Sequence, residues 1–224
     1  MGDIDQLILE GKTLSAHREL SRLYWSQPGY RDVFAKRIEK TALSIYFSPQ
    51  PHFMQPYRIQ PGDQLRNVAK QYNVPWEYIE KLNRIDARRI RPGQELKVIK
   101  GPFSAIIELS RFELTVHTNG YFVRRYSVGI GQDGTTPLGK FRVLNKVVNP
   151  QYTGPDNRVI AADDPANPLG EHWIDLGNGY GIHGTIDPQS IGKSESRGCI
   201  RLQNAEVDEV FNLLSVGSVV EIRR

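Results

Sequence analysis

The stretch GIHGTIDPQSIGKSESRGCIRL, residues 181–202, holds the one cysteine of a 224-residue chain, Cys199, and a histidine sixteen residues before it, His183. An isolated cysteine is in general a small buried hydrophobe. Here it follows a glycine in the polar run Ser194-Glu195-Ser196-Arg197-Gly198, which is poor core material, and Gly198 would let the backbone come close to a bound carbonyl. His183 also stands beside a glycine, Gly184, at the end of an apolar strand-like run. A free thiol is only a few per cent ionised at neutral pH, and a neighbouring imidazolium can lower its pKa into the range of about 3.5 to 7.5. Cys199 and His183 together therefore point to nucleophilic chemistry, with inert packing of the cysteine as the alternative.

Composition narrows the classes. One thiol cannot close an internal disulfide or build a thiolate zinc cage. The other histidines, His17, His52, His117 and His172, show no metal-ligand spacing, and the chain has neither an HExxH pair nor a GxSxG elbow, so no metal is expected. A papain-like arrangement would place Cys before His, the reverse of the order here. No apolar run approaches the roughly 18 residues of a membrane span, and the first ten residues carry Asp3, Asp5 and Glu10 where an export signal would be basic and then apolar. The formal charge of +4 is local: residues 57–99 hold 9 basic against 5 acidic side chains, whereas residues 100–224 hold 13 against 14. Without a clustered basic stripe this excess suits an anionic polymer surface and argues against nucleic acid.

Working outward from Cys199, the pattern from Phe103 onward alternates with period two. Strands are expected over 103–109, 112–117, 121–128, 141–148, 173–176 and 219–223, with Asn119-Gly120 as a hairpin turn. One helix is expected from an N-cap at Asn204 to Leu214, with Val207, Val210, Phe211 and Leu214 on one face. The segment 149–170, rich in Pro, Asp, Asn and Gly, has the length of a rim or lid loop. Gly129, Gly131 and Gly134 match a GxGxxG pattern, but Thr135-Thr136-Pro137-Leu138-Gly139 leads on into another strand and not into a helix, so these glycines are expected to form a turn bordering a cleft.

Toward the N-terminus the character changes. Residues 1–50 read as helices: the third carries a stripe of Val33, Phe34, Ile38, Ala42 and Ile45, with Arg31, Lys36, Arg37 and Lys40 outside it. Pro49, Pro51 and Pro56 stiffen the stretch 48–56, and residues 51–56 are the expected linker. Residues 57–99 then read strand, helix, helix, strand: Tyr57-Arg58-Ile59, a helix from Gln64 to Tyr72 capped by Asp63, a second helix after Pro75 ending near Asn83, and a strand from Glu95 to Ile99. The expected fold is thus a multidomain α+β chain: a helical N-terminal segment, a small βααβ module and a mostly β domain over 103–224.

These motifs carry two resemblances. YRIQPGDQLRNVAKQYNVPWEYIEKLNRI with IRPGQELKVI, within 57–99, resembles a LysM module, both Pro-Gly turns being in register. That implies binding of N-acetylglucosamine-containing glycans such as peptidoglycan, with a groove near Gly62, Asp63, Gln64 and the stretch from Asn83 to Ile90. The His-Gly pair, the Ser-x-Gly-Cys core and Thr136-Pro137-Leu138-Gly139-Lys140-Phe141 make residues 103–224 resemble the YkuD-like L,D-transpeptidase catalytic domain. Arg197 and Arg201 stand where many relatives have His and Asn, which places the chain in a GCxR branch.

The second resemblance implies acyl transfer on peptidoglycan stems forming 3-3 type cross-links, with water or a protein amine as alternative acceptors of the same thioester and a non-catalytic wall-binding protein as the remaining alternative. Cys199 is then the nucleophile, His183 the base and acid, and the N–H groups of Gly198 and Cys199 the oxyanion donors. Arg201, Ser196, Tyr180, Gly184 and Thr185 are the expected substrate contacts, and His172 a structural or rim residue. No cofactor is expected. The partners expected are stem peptide and glycan, not nucleic acid, for a monomer in the bacterial cell envelope, periplasm or wall, with no membrane anchor or export signal visible in the chain.

Overall fold

The computed structural model describes residues 2–154 and 157–224. The chain divides into two compact units, one of residues up to 102 together with 117–124 and one of 103–116 together with 125–224.

The first unit opens with α1 (Gly2–Leu9), α2 (Thr13–Ser26) and α3 (Arg31–Ala42), the last running on through a π-type turn at Leu43–Phe47. Ala16, Leu20 and Tyr24 of α2 face Phe34, Ile38 and Ala42 of α3, all essentially buried. Two expectations fail here. Val33 is 61% exposed, because the stripe runs through 34, 38, 42 and 45 at helical steps, and 33 falls outside it. Arg31, read as an outer charge, is 1% exposed: its Nε donates to the Tyr24 carbonyl at 3.0 Å and its guanidinium lies 4.2 Å from the centre of the Tyr24 ring. A delocalised guanidinium tolerates such a place better than an ammonium would. His17 is buried beside them, its Nε2 2.8 Å from the Phe122 carbonyl and its Nδ1 2.9 Å from Thr41 Oγ1. Since a carbonyl only accepts, Nε2 carries the proton.

The same unit holds β1 (Tyr57–Arg58), α4 (Leu65–Tyr72), α5 (Trp76–Asn83) and β2 (Glu95–Leu96), with Tyr57 paired antiparallel to Leu96. The strand-helix-helix-strand order is as read from the sequence. Asp63, however, does not cap α4: its Oδ2 accepts from Gln60 N–H and Tyr57 O–H, both at 2.8 Å, and so closes the turn before the helix. The N-cap position is Gln64, which makes no side-chain cap. The last strand is two residues long where five were expected, because β1 offers only two residues to pair with. Beyond it, Lys97 is almost wholly buried: its Nζ donates to the carbonyls of Ser44 and Ser48, each at 2.7 Å, and sits 5.0 Å from the centre of the Phe53 ring. Burial pulls its pKa down to about 8.

The remaining β strands are β3 (Phe103–Glu108), β4 (Glu113–Thr118), β5 (Tyr121–Ser127), β6 (Ile130–Gly131), β7 (Gly139–Arg142), β8 (Asn145–Val148), β9 (Tyr152–Thr153), β10 (Val159–Ile160), β11 (His172–Gly177), β12 (Tyr180–His183), β13 (Ser194–Ser196), β14 (Ile200–Arg201) and β15 (Val219–Arg223). Among the described residues of this stretch the one α-helix is α6 (Asn204–Leu213). A five-stranded sheet has the order β5-β4-β3-β15-β7, a four-stranded sheet the order β14-β12-β11-β8, and β13 pairs with β6. The single strand expected over 141–148 is two, β7 and β8, in different sheets. Val143 N–H bonds to Ser218 O and Leu144 N–H to Asp175 O, so the chain changes partners between these two residues. α6 covers β11 and β12 with Val207, Val210 and Phe211. Asn204 does not cap it: the N-cap position is Gln203, and Asn204 Oδ1 accepts from Thr185 N–H at 3.0 Å instead.

Candidate active site

The parallel pairing of β12 with β14 sets Ile182 against Ile200 and His183 against Arg201. Cys199, one residue ahead of β14, thereby falls beside Gly181, two residues before His183 on the neighbouring strand. Both line a cleft of about 640 Å³ whose walls also include Trp173, Tyr152, Glu195 and Arg201. Gln151, Tyr152 and Thr153 come from the segment 149–170, so the loop expected at the rim does form one wall; within that segment, residues 155 and 156 lie outside the described residues.

His183 is 5% exposed, with its ring stacked on Trp173 at 5.7 Å between centres. Its Nδ1 lies 2.6 Å from the Gly184 carbonyl, so Nδ1 donates and Nε2 is left as the basic nitrogen. Burial, reinforced by Arg201, holds its pKa down at about 4 against the opposing effect of the Gly184 carbonyl. Burial also raises the Cys199 thiol above its ordinary range, more than the Gly181 backbone and Arg201 lower it. The Cys199 S–H points to the Gly179 carbonyl at 3.6 Å. From the sequence, an imidazolium was expected to ionise the thiol; in the folded chain burial works against the charged form of each group.

The loop before Cys199 is tightly wired. Ser196, 2% exposed, donates its hydroxyl to the Cys199 carbonyl at 2.6 Å and accepts from Gly198 N–H at 3.1 Å. Gly198 N–H was expected to be an oxyanion donor; it is already engaged and is not free for that role. Cys199 N–H has no acceptor among the described residues. Gly198 has φ +126°, and a Cβ there would lie 2.6 Å from Cε1 of Tyr180, so only glycine fits.

Of the other expected contacts, Arg201 and Ser196 line the cleft, whereas Tyr180, Gly184 and Thr185 do not. Tyr180 packs against Gly198, and Thr185 is held by Asn204 behind His183. Gly129 lies against Ser190 and Arg201 and Gly131 against Gly198, and neither lines the cleft. His172 sits 4.4 Å from Phe211 between ring centres and 3.7 Å from Asp208, and it does not line the cleft. In the strand-helix-helix-strand module, Gly62 and Gln64 are exposed and Asp63 is half-buried. Asn83 ties its amide to the Ile79 and Lys97 carbonyls and to Lys97 N–H, which makes it a brace. No group of three or more His, Cys, Asp or Glu among the described residues could hold a metal ion. Sequence reasoning missed Asn204 and Trp173 as supports of the His183 strand end; the pairing of β11 with β12, which sets Trp173 against His183, carries no local signal.

The family model of the YkuD L,D-transpeptidase catalytic domain matches residues 102–222, and that of the LysM domain matches 57–98. YkuD of Bacillus subtilis strain 168, named as a candidate L,D-transpeptidase, is 29% identical over 177 residues, which are 75% of this chain and 98% of that protein. ErfK/SrfK of Escherichia coli K12, named likewise, is 43% identical over 114 residues, 45% of this chain and 37% of its own. The crystal structure of an L,D-transpeptidase from Mycobacterium tuberculosis H37Rv superposes with a TM-score of 0.47 at 17% identity, covering 59% of this chain and 63% of that one. With the catalytic-domain match running over more than half of its length, from 102 to 222, the chain belongs to the YkuD family of L,D-transpeptidases.

Proposed function

We propose that the chain is a peptidoglycan L,D-transpeptidase that forms 3-3 type cross-links through a thioester on Cys199, with the LysM domain holding it to glycan in the cell envelope. The observation that supports this most directly is Cys199 and His183 on one cleft, with His183 Nδ1 bonded to Gly184 O so that Nε2 is free to accept a proton. The Cys199 thiol passes its proton to Nε2 as Sγ attacks the carbonyl of the third stem residue. The tetrahedral intermediate collapses to a thioester, and the departing amine of the terminal D-alanine takes the proton back from His183. The side-chain amine of a second stem then attacks the thioester, gives its proton to His183, and releases the sulfur, which is reprotonated. The burial that makes His183 a weak base makes its imidazolium a strong acid, which suits the protonation of a poor leaving group. Arg201 and Arg197 on the cleft wall offer guanidinium partners for stem carboxylates.

The test is intact mass spectrometry of the full chain with a tetrapeptide-stem muropeptide. The expected result is an acyl adduct on Cys199 with loss of D-alanine, followed by a cross-linked dimer, all abolished by C199A. Absence of the adduct with a reduced thiol would overturn the proposal, and a tripeptide product without dimer would replace transfer by hydrolysis.

A further inference from the structure

The hydrogen bonds around the nucleophile single out Thr136, a residue 3% exposed and outside the cleft wall. Its Oγ1 accepts from Gly131 N–H at 2.8 Å and donates to the Gly198 carbonyl at 3.0 Å. The first bond occupies the hydroxyl oxygen, which leaves its proton for Gly198 O. Gly131 makes this possible: a Cβ there would stand 2.8 Å from Gly198 Cα and 2.9 Å from Gly198 N, so the two backbones lie directly against each other.

The Gly198–Cys199 peptide is trans, so its carbonyl and its N–H point in opposite directions. With Thr136 holding the carbonyl from beneath, Cys199 N–H is turned to the other side and has no acceptor there among the described residues. Gly198 N–H and the Cys199 carbonyl are both engaged by Ser196. Of the hydrogen-bonding groups on these two residues' backbones, Cys199 N–H is the one left for a ligand. A hydrogen bond to a peptide carbonyl also polarises the N–H of the same peptide and strengthens it as a donor.

We propose that Thr136 is a positioning residue that aims and polarises Cys199 N–H as the donor to the tetrahedral oxyanion. The proposal rests on the reading of Cys199 as an acyl-forming nucleophile. It is tested on the full chain with two probes of the same sulfur. Acetylation by 4-nitrophenyl acetate passes through an oxyanion and needs no stem recognition, whereas alkylation by iodoacetamide is a displacement at carbon and forms none.

T136V is expected to slow acetylation about 10- to 100-fold, below the full effect of deleting an oxyanion donor, while alkylation at the same pH stays within about twofold. T136S, which restores the hydroxyl, is expected to acetylate within about threefold of the unmodified chain. T136A carries the same expectation as T136V should that variant not fold. Unchanged acetylation in T136V overturns the proposal, as does a parallel fall in both reactions or a T136S as slow as T136V. A chain acetylated by the ester but inert to muropeptide overturns the proposed function and leaves the role of Thr136 standing; a chain inert to both overturns both.

Discussion

His17 yields a prediction whose size can be worked from the structure. The imidazole is 2% exposed, and burial lowers its pKa to about 4 despite the opposing effect of the Phe122 carbonyl, against 6.5 for the free side chain. Below pH 6.5 the unfolded chain takes up a proton that the folded chain refuses, so stability is present above that pH and is lost as pH falls toward 4. The full gap corresponds to about 3 kcal/mol at about 1.4 kcal/mol per pKa unit. At pH 5 most of it is already gone, about 2 kcal/mol, because the unfolded imidazole is then almost fully protonated and the folded one hardly at all. H17Q keeps a donor for the Phe122 carbonyl but does not titrate. In urea unfolding followed by circular dichroism, the unmodified chain should lose about 2 kcal/mol more than H17Q between pH 7 and pH 5, a shift of about 1 M in midpoint for an m-value near 2 kcal/mol/M. His183 is present in both proteins, so its own loss cancels in the comparison. Equal pH dependence in the two proteins, or a His17 imidazole that titrates near 6.5 by NMR, would refute the reasoning.

The site itself supplies two further outcomes. Alkylation of Cys199 by iodoacetamide should be slow at pH 6 and rise only in the alkaline range, since burial raises the thiol and His183 is neutral there; a rate already at its plateau by pH 7 would show that an ion pair exists after all. G198A should lose activity and about 1–3 kcal/mol of stability, and Tyr180→Ala should not restore it, because the positive φ and the Thr135 carbonyl 3.0 Å from the new Cβ both remain; recovery of turnover in the double variant would contradict this.

The sequence made Cys199 and His183 legible as a candidate pair because the signal is written in adjacent residues: a glycine before Cys199, a glycine after His183, and polar surroundings. The strand-helix-helix-strand module was legible for a similar reason, since its turns and helix ends are local. What stayed hidden depends on contacts between distant residues. Asn204 and Asp63 carry ordinary capping signals, yet each turns its side chain elsewhere, Asn204 to Thr185 and Asp63 to Tyr57 and Gln60. The engagement of Gly198 N–H depends on how the loop folds back on Ser196. The support from Thr136 spans 62 positions of sequence. The burial that works against the charged forms of Cys199 and His183 comes from packing, which no motif encodes.

Lys97 bears on how the chain can be dissected. The two carbonyls that receive its ammonium belong to Ser44 and Ser48, and the hydroxyl of Tyr78, another buried side chain of the same module, donates to the Tyr46 carbonyl. All three acceptors lie outside the span 57–98 that the LysM family model matches. A fragment cut at those limits would uncover an ammonium and a phenol that were built to be inside, each deprived of its oxygen. Glycan affinity measured on such a fragment would mix recognition with partial unfolding. A fragment suited to that measurement begins ahead of residue 43, so that the π-type turn travels with the module it serves.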